Sequence, residues 1–544
     1  MTGSLFPDPH ITRRNLLVGG LGLGAFAVLG LAGCSNEGRG GGALASNAGV
    51  ALPTYIPYDG VPIDIVGADG VPNTMLKYPA NPQQVTDGPP GDGQDVGVLA
   101  LTNTPAPPGV DRNEYWQALN ERLGFSLAVS QVLAGDFTDR FQTAVAGDQL
   151  PDLFTYFPVE VPGLPGLLAE RATDLTELLS GDAVSRYPFL ANIPTQSWQS
   201  SVYGGKIYGV PIPRGPMSST VMYTRQDVLD AEGLSAEVGS LDDFVSLCTE
   251  LTGANRWALG KAPITYLREM FALPNVWAEE GGSLTSVNEH ERQAEALEAC
   301  RRLVADGVVH PDAFAVEGPQ RKTWMVNRTV TLLDDTFSAW TDFFNYPIDD
   351  EFRLAVIPPP LAEGGGPGNF WLAGATHNLT SISARSADRA EALLDVLNYL
   401  AAPFGSAEHL FKNYGLEGVH HTLEGTDPVL TEKGRTEAQL SLKYMAEGPW
   451  VNYQAGLPEV AQDQYDAQTG VVPTALRNPV EGLFSETGSR RGAQINTALL
   501  AVENDIISGR EPVSAWTTAV DAWKRGGGDT IRDEYQEALT ARES

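Results

Sequence analysis

The chemistry open to this chain has to come from 68 carboxylates, seven histidines and three cysteines. Cleavage of a glycosidic bond needs two carboxyl groups flanking it, and Asp334 with Glu417 can be cast in that role. With so many acids some such pair exists in any chain, so the pairing carries little weight. His420 and His421 are adjacent, and on a helix or strand their side chains diverge, which leaves no metal-binding pair. No GxSxG nucleophile elbow, HExxH zinc motif or CxxC pair is present, and no phosphate-binding loop follows the first forty residues. No cofactor is implied. Ten tryptophans and seventeen tyrosines offer another kind of chemistry. A sugar presents apolar CH faces ringed by hydroxyls, and Tyr or Trp meets both with a flat ring and a polar tip.

The first cysteine predicts an address. Thr12-Arg13-Arg14-Asn15-Leu16-Leu17 is a twin-arginine pattern, followed by an uncharged apolar and glycine stretch to Gly33. That stretch is short and glycine-rich, which suits a signal segment better than a membrane span of about twenty strongly apolar residues. Leu31-Ala32-Gly33-Cys34 then resembles the lipobox of bacterial lipoproteins, whose cysteine thiol takes a diacylglycerol. The expectation is a cleaved leader at 1–33, a lipid on Cys34 and a glycine-rich tether over 34–51. A formal charge of −32 argues against nucleic acid and against a basic membrane patch, so the lipid would do the anchoring. Cys248 and Cys300 lie among apolar helical neighbours. One disulfide between them is open, and burial as free thiols is the simpler expectation.

Beyond the tether, over 400 residues exceed one hydrophobic core, so two lobes are expected. From Asp111 the chain alternates helix and strand. Asp111–Leu123 and Phe137–Ala146 have helical spacing, Val96–Leu101, Phe125–Val132 and Leu153–Phe157 read as strands, and Leu241–Leu251 and Glu289–Asp306 are further helices. This order predicts an α/β fold with a largely parallel sheet, whose ligands bind beyond the carboxyl ends of the strands, where Tyr156 and Phe157 project. Tyr208–Pro213 and Phe352–Pro360 read as strands crossing between lobes. The expected division is 52–212 with 361–402 in one lobe and 213–360 with 403–544 in the other, a hinged clamp that works as a monomer.

Five segments in the same order carry a family likeness: Ala144–Asp152, Gly204–Pro211, Met222–Leu229, Tyr414–Thr422 and Ile507–Pro512. In them the chain resembles the extracellular solute-binding proteins of ABC importers, in the carbohydrate-binding group and its large lipoprotein branch of alginate-oligosaccharide binders. The resemblance implies a periplasmic-binding-protein-like clamp that holds an oligosaccharide and delivers it to a membrane permease. It also implies a set of ligand-facing positions. Tyr156 ends the strand after Leu150-Pro151-Asp152, Arg214 follows the first hinge strand, and Trp340 follows Asp334-Asp335. Tyr266 and Trp277 belong to the second lobe, Trp371 to the glycine-rich stretch after the second crossing, and Glu417 and His420 to the branch motif. Alginate binders of that branch carry a calcium loop, but the corresponding Leu251–Trp257 lacks the oxygen-ligand spacing, so no metal is expected.

Overall fold

A computed structural model of the chain describes residues 47, 49–102, 104–316 and 318–543. The expected leader, the lipid-bearing Cys34 and most of the expected tether lie outside the described residues. The last tether residues are already docked: Val50 packs on the first core and the Ala51 carbonyl accepts from Gly181 N–H at 3.2 Å. No helix among the described residues is long and apolar enough to cross a membrane.

Two main sheets are laid down alternately. The first begins with β1 (Val96–Thr102), β2 (Leu127–Leu133), β3 (Leu153–Tyr156) and β4 (Val210–Pro213). The second holds β5 (Thr220–Arg225), β6 (Trp257–Leu259), β7 (Val330–Thr336) and β8 (Leu354–Ile357), after which β9 (Thr376–Ile382) rejoins the first. The first sheet runs β2-β1-β3-β9-β4, and the second β8-β5-β7-β6. β1, β2 and β3 are parallel, as helical crossovers demand, whereas β9 is antiparallel to both β3 and β4.

Local sequence explains the elements. In α1 (Glu114–Leu123), Tyr115, Leu119 and Leu123 recur one turn apart and are all buried. Asn113 caps its start by accepting from Trp116 N–H, and Gly124 ends it in the left-handed region. α2 (Ala134–Ala146) begins directly where β2 stops, so its first turn sits at the sheet's carboxyl edge. α3 (Leu241–Leu251) starts at Ser240, whose side chain accepts from Asp243 N–H, and turns Phe244, Leu247, Cys248 and Leu251 inward. Cys248 and Cys300 are buried free thiols in that second core, where burial pushes both thiol pKa values up.

The lobe boundaries differ from those expected. The first crossing falls between β4 and β5, close to Arg214. The strand Leu354–Ile357, however, pairs wholly with β5, and Phe370 and Leu372 still pack in the second lobe, so the return lies at Ala373–Ala375 rather than at the three prolines. Residues 403–446 belong with the first lobe, because Phe411, Leu440, Leu442, Met445 and Ala446 fill the first core. The chain crosses a third time after Ala446, and α4 (Ala493–Ile507), α5 (Ala515–Trp523) and α6 (Asp529–Glu543) complete the second lobe. Near that crossing, Asn73–Thr74 pairs in parallel with Val451–Asn452.

Candidate functional site

A cleft of about 1290 Å³ opens between the lobes. Its first-lobe wall is the carboxyl edge of the parallel strands: Ala134 and Gly135 follow β2, and Phe157 to Glu160 follow β3. Gln199, Ser200 and the return segment Gly374–His377 continue that wall. The opposite wall comes from Val276-Trp277, Ser286–Asn288 and the helices α4 to α6. Residues 478–489 close the back and tie the lobes together. There Ala375 N–H donates to Glu481 at 2.6 Å, Gly163 N–H donates to Ser489 at 3.0 Å, and Tyr203 meets Phe484 edge-on at 6.3 Å.

On the second-lobe wall Trp277 lies 6.4 Å from Trp523 and 5.8 Å from Tyr535, ring to ring. Two indoles here are bonded: Trp523 Nε1 donates to Asn496 at 2.9 Å and Trp516 Nε1 to the Asn288 carbonyl at 3.1 Å. Arg268 is paired with Glu503 and bonded to Gln293 at 3.1 Å. Val276, which holds Trp277 in place, adopts φ 64°, a left-handed backbone that is costly for a β-branched residue. Buried Asn275 fixes this turn by donating to the carbonyls of Leu372 and Leu476. Val159, Val276 and Leu500 remain exposed on the cleft walls, at 86%, 44% and 53%.

From this cleft a row of rings leads inward along the hinge. Phe157 stands 5.3 Å from His377, and His377 stands 5.5 Å from Tyr444. The Arg214 guanidinium lies over Tyr444 and over Trp450, at 5.7 and 5.3 Å from their centroids. Burial, with the nearby charges of Arg214 and Lys443, lowers the His377 pKa to about 4, so its imidazole is neutral at ordinary pH. Asp342 faces this group from the second lobe. Burial pushes its carboxyl up, but Lys443, Lys322 and Arg214 together hold it below the ordinary carboxylate range. Arg214 is 8% exposed, its Nε meets no acceptor and it joins no ion pair among the described residues. Trp450 Nε1 is a second buried donor with no partner.

Of the eight expected ligand-facing residues, Trp277 lines the wide cleft and Arg214 lies in the inner row. The structure buries Tyr156 completely beside Phe141 and Phe154, with its hydroxyl 3.2 Å from Ser381. Both faces of β3 are covered, so all four of its residues are buried, and Phe157, the first residue past the strand's end, is the one that reaches the cleft. Trp340 is buried edge-on against Tyr223 at 5.5 Å. Tyr266 is buried against Phe244, its hydroxyl donating to the Pro358 carbonyl at 3.3 Å. Trp371 is half-buried, donating from its backbone to Glu269 at 2.9 Å and from Nε1 to Leu273 at 3.0 Å. His420 is buried against Glu437 at 3.2 Å, and Glu417 is exposed in its loop. Asp334 is buried with Lys261 at 3.0 Å, so Asp334 and Glu417 do not meet across the cleft. His377, Tyr444, Trp450, Trp523 and Tyr535 were not anticipated. Thr376-His377-Asn378 at the head of an apolar strand was the one local sign of them. No group of three or more metal-ligating side chains occurs among the described residues.

The sequence profile of the bacterial extracellular solute-binding proteins matches residues 114–403, more than half of the chain. Lipoprotein LipO of Bacillus subtilis is 21% identical over 472 residues, covering 81% of this chain and 91% of that protein. The polygalacturonan/rhamnogalacturonan-binding protein YtcQ of the same organism is 20% identical over 422 residues, covering 74% and 83%. Among solved structures, the N-glycan transport solute-binding protein NgtS of Streptococcus pneumoniae, in complex with Man1GlcNAc, superposes with a TM-score of 0.61 at 12% identity. It covers 83% of this chain and 100% of that one. The alginate-binding protein AlgQ2 without calcium ion gives 0.59 at 12%, covering 84% and 99%. These likenesses fix the fold as the two-lobe solute-binding architecture.

Proposed function

The chain belongs to the bacterial extracellular solute-binding proteins, and from that premise we propose that it captures an oligosaccharide between its lobes and delivers it to an ABC permease. The observation that carries this reading is the cleft of about 1290 Å³ at the strand ends, large enough for several sugar rings and walled by aromatic side chains. Phe157, Trp277 and the ring row through His377 offer flat faces. Asn288, Asn496, Gln199 and Ser200 offer polar groups around them. No chemistry is done on the ligand. Binding shifts the population from open to closed clamp, and the closed complex is what the permease reads.

The protein would act as a monomer held to the outer face of the membrane by lipid on Cys34, with no part in nucleic-acid binding. A Cys34→Ala variant is expected in the culture medium; retention in the membrane fraction would sink the anchor. Calorimetry against a glycan panel, with the same mixtures analysed for hydrolysis products, tests the rest. A ligand at a hundred times its Kd should add about 2.7 kcal/mol to unfolding stability and come back uncleaved. Turnover would convert the protein into a hydrolase.

A further inference from the structure

We propose that Arg214 is the receptor for a carboxylate carried by the ligand, so that the cleft takes an acidic, uronate-containing oligosaccharide; this rests on the sugar-binding reading above. Three cations are buried among the described residues: Arg214, Arg225 and Lys412. Arg225 is paired with Asp227 at 2.7 Å and Lys412 with Glu447 at 2.9 Å. Arg214 alone has neither acceptor nor ion pair. That is conspicuous in a chain of net charge −32, where carboxylates are plentiful. A buried guanidinium with an unfilled donor is costly, and a ligand group that fills the donor relieves that cost.

The surroundings specify what that something is. Arg214 is held over the rings of Tyr444 and Trp450, and the unpartnered Nε1 of Trp450 adds a second donor to the same place. Exposed Lys443, 5.4 Å from the Tyr444 ring, adds positive charge. The carboxylate that faces this group, Asp342, bonds Lys322 at 3.1 Å, a lysine it shares with Asp335 at 3.7 Å, and makes no hydrogen bond or ion pair with Arg214. The two side-chain atoms left over here, Arg214 Nε and Trp450 Nε1, are both donors. A sugar hydroxyl would supply an acceptor but no charge. A carboxylate supplies both, and its two oxygens match the planar guanidinium fork. The neighbouring rings would then stack on the sugar that carries it.

The test is calorimetry of the purified chain with short oligogalacturonides and with the same oligomers reduced at the carboxyl to hydroxymethyl. The acidic oligomers should bind about ten- to a hundredfold more tightly than the reduced ones, the range of a charge-assisted hydrogen bond. Added salt should narrow that gap. Arg214→Gln should abolish the preference for acidic over reduced oligomers. Lys443→Gln, at an exposed position, should reduce it by a smaller, salt-sensitive factor. Equal binding of acidic and reduced oligomers, or an undiminished preference in Arg214→Gln, overturns the proposal. So does binding of neutral glycans alone, which leaves the sugar-binding reading standing. Silence across acidic and neutral glycans overturns both.

Discussion

The cleft wall around Trp277 and the ring row that leads from the cleft to Arg214 are built on different plans. Around Trp277 the charges and indoles have partners: Trp516 and Trp523 are bonded, Arg268 is paired and Asn275 spans two carbonyls, although the buried Nε2 of Gln293 beside Arg268 meets no acceptor. Around Arg214 a guanidinium and an indole are buried without acceptors. On the cleft wall the charged group is paired without a ligand, so its side chains support the fold as well as any binding. In the inner row the charged group itself is left with an open donor, at a cost to the free protein.

That contrast can be broken by measuring stability and affinity separately. The largest effect is expected at Trp277, which is 6% exposed. Trp277→Ala should lower the unfolding free energy by about 3–5 kcal/mol in urea denaturation, whereas Arg214→Gln should leave it unchanged or raise it. Similar losses in both variants would erase the distinction. Next is Glu269, which accepts from Trp371 N–H beneath the outer wall and whose carboxyl burial holds far above its ordinary 4.5. As pH rises through that ordinary value the unfolded chain releases a proton that the folded protein keeps, so stability falls with pH. Glu269→Gln keeps the acceptor and removes the penalty. It should be more stable than the parent at neutral pH, with the difference vanishing below about pH 4.5; a gain independent of pH would refute this account. The smallest effect is at Val276. Val276→Gly relieves the left-handed backbone and should raise stability by no more than about 1 kcal/mol, and a clear loss would show that the turn is not strained.

The fold was legible because it is written in local periodicity. Helix Leu241–Leu251 follows from Ser240, Asp243 and an apolar stripe four residues wide, and β1 to β3 follow from short apolar runs between turn residues. The site was less legible because it depends on direction and on distant partners. Tyr156 and Phe157 are neighbours, and only where the strand ends decides which of them sees the cleft. Trp340 carries the right residue type in the right neighbourhood, yet its short helix turns it towards Tyr223. Tyr444 and Trp450 come to Arg214 across more than two hundred residues of chain, a proximity that no spacing encodes. The lobe boundary near residue 403 was misplaced for a similar reason, since the apolar residues up to Ala446 suit either core and only packing assigns them.

From β1 onward the chain passes between the lobes three times, at Arg214–Ser219, at Ala373–Ala375 and after Ala446. Covalent continuity between the halves is thus redundant. A protease that severs one passage leaves two intact, so a nicked molecule keeps its halves covalently joined. For a receptor displayed outside the cell, among enzymes that digest exposed chain, such tolerance to cutting would extend its working life without any disulfide.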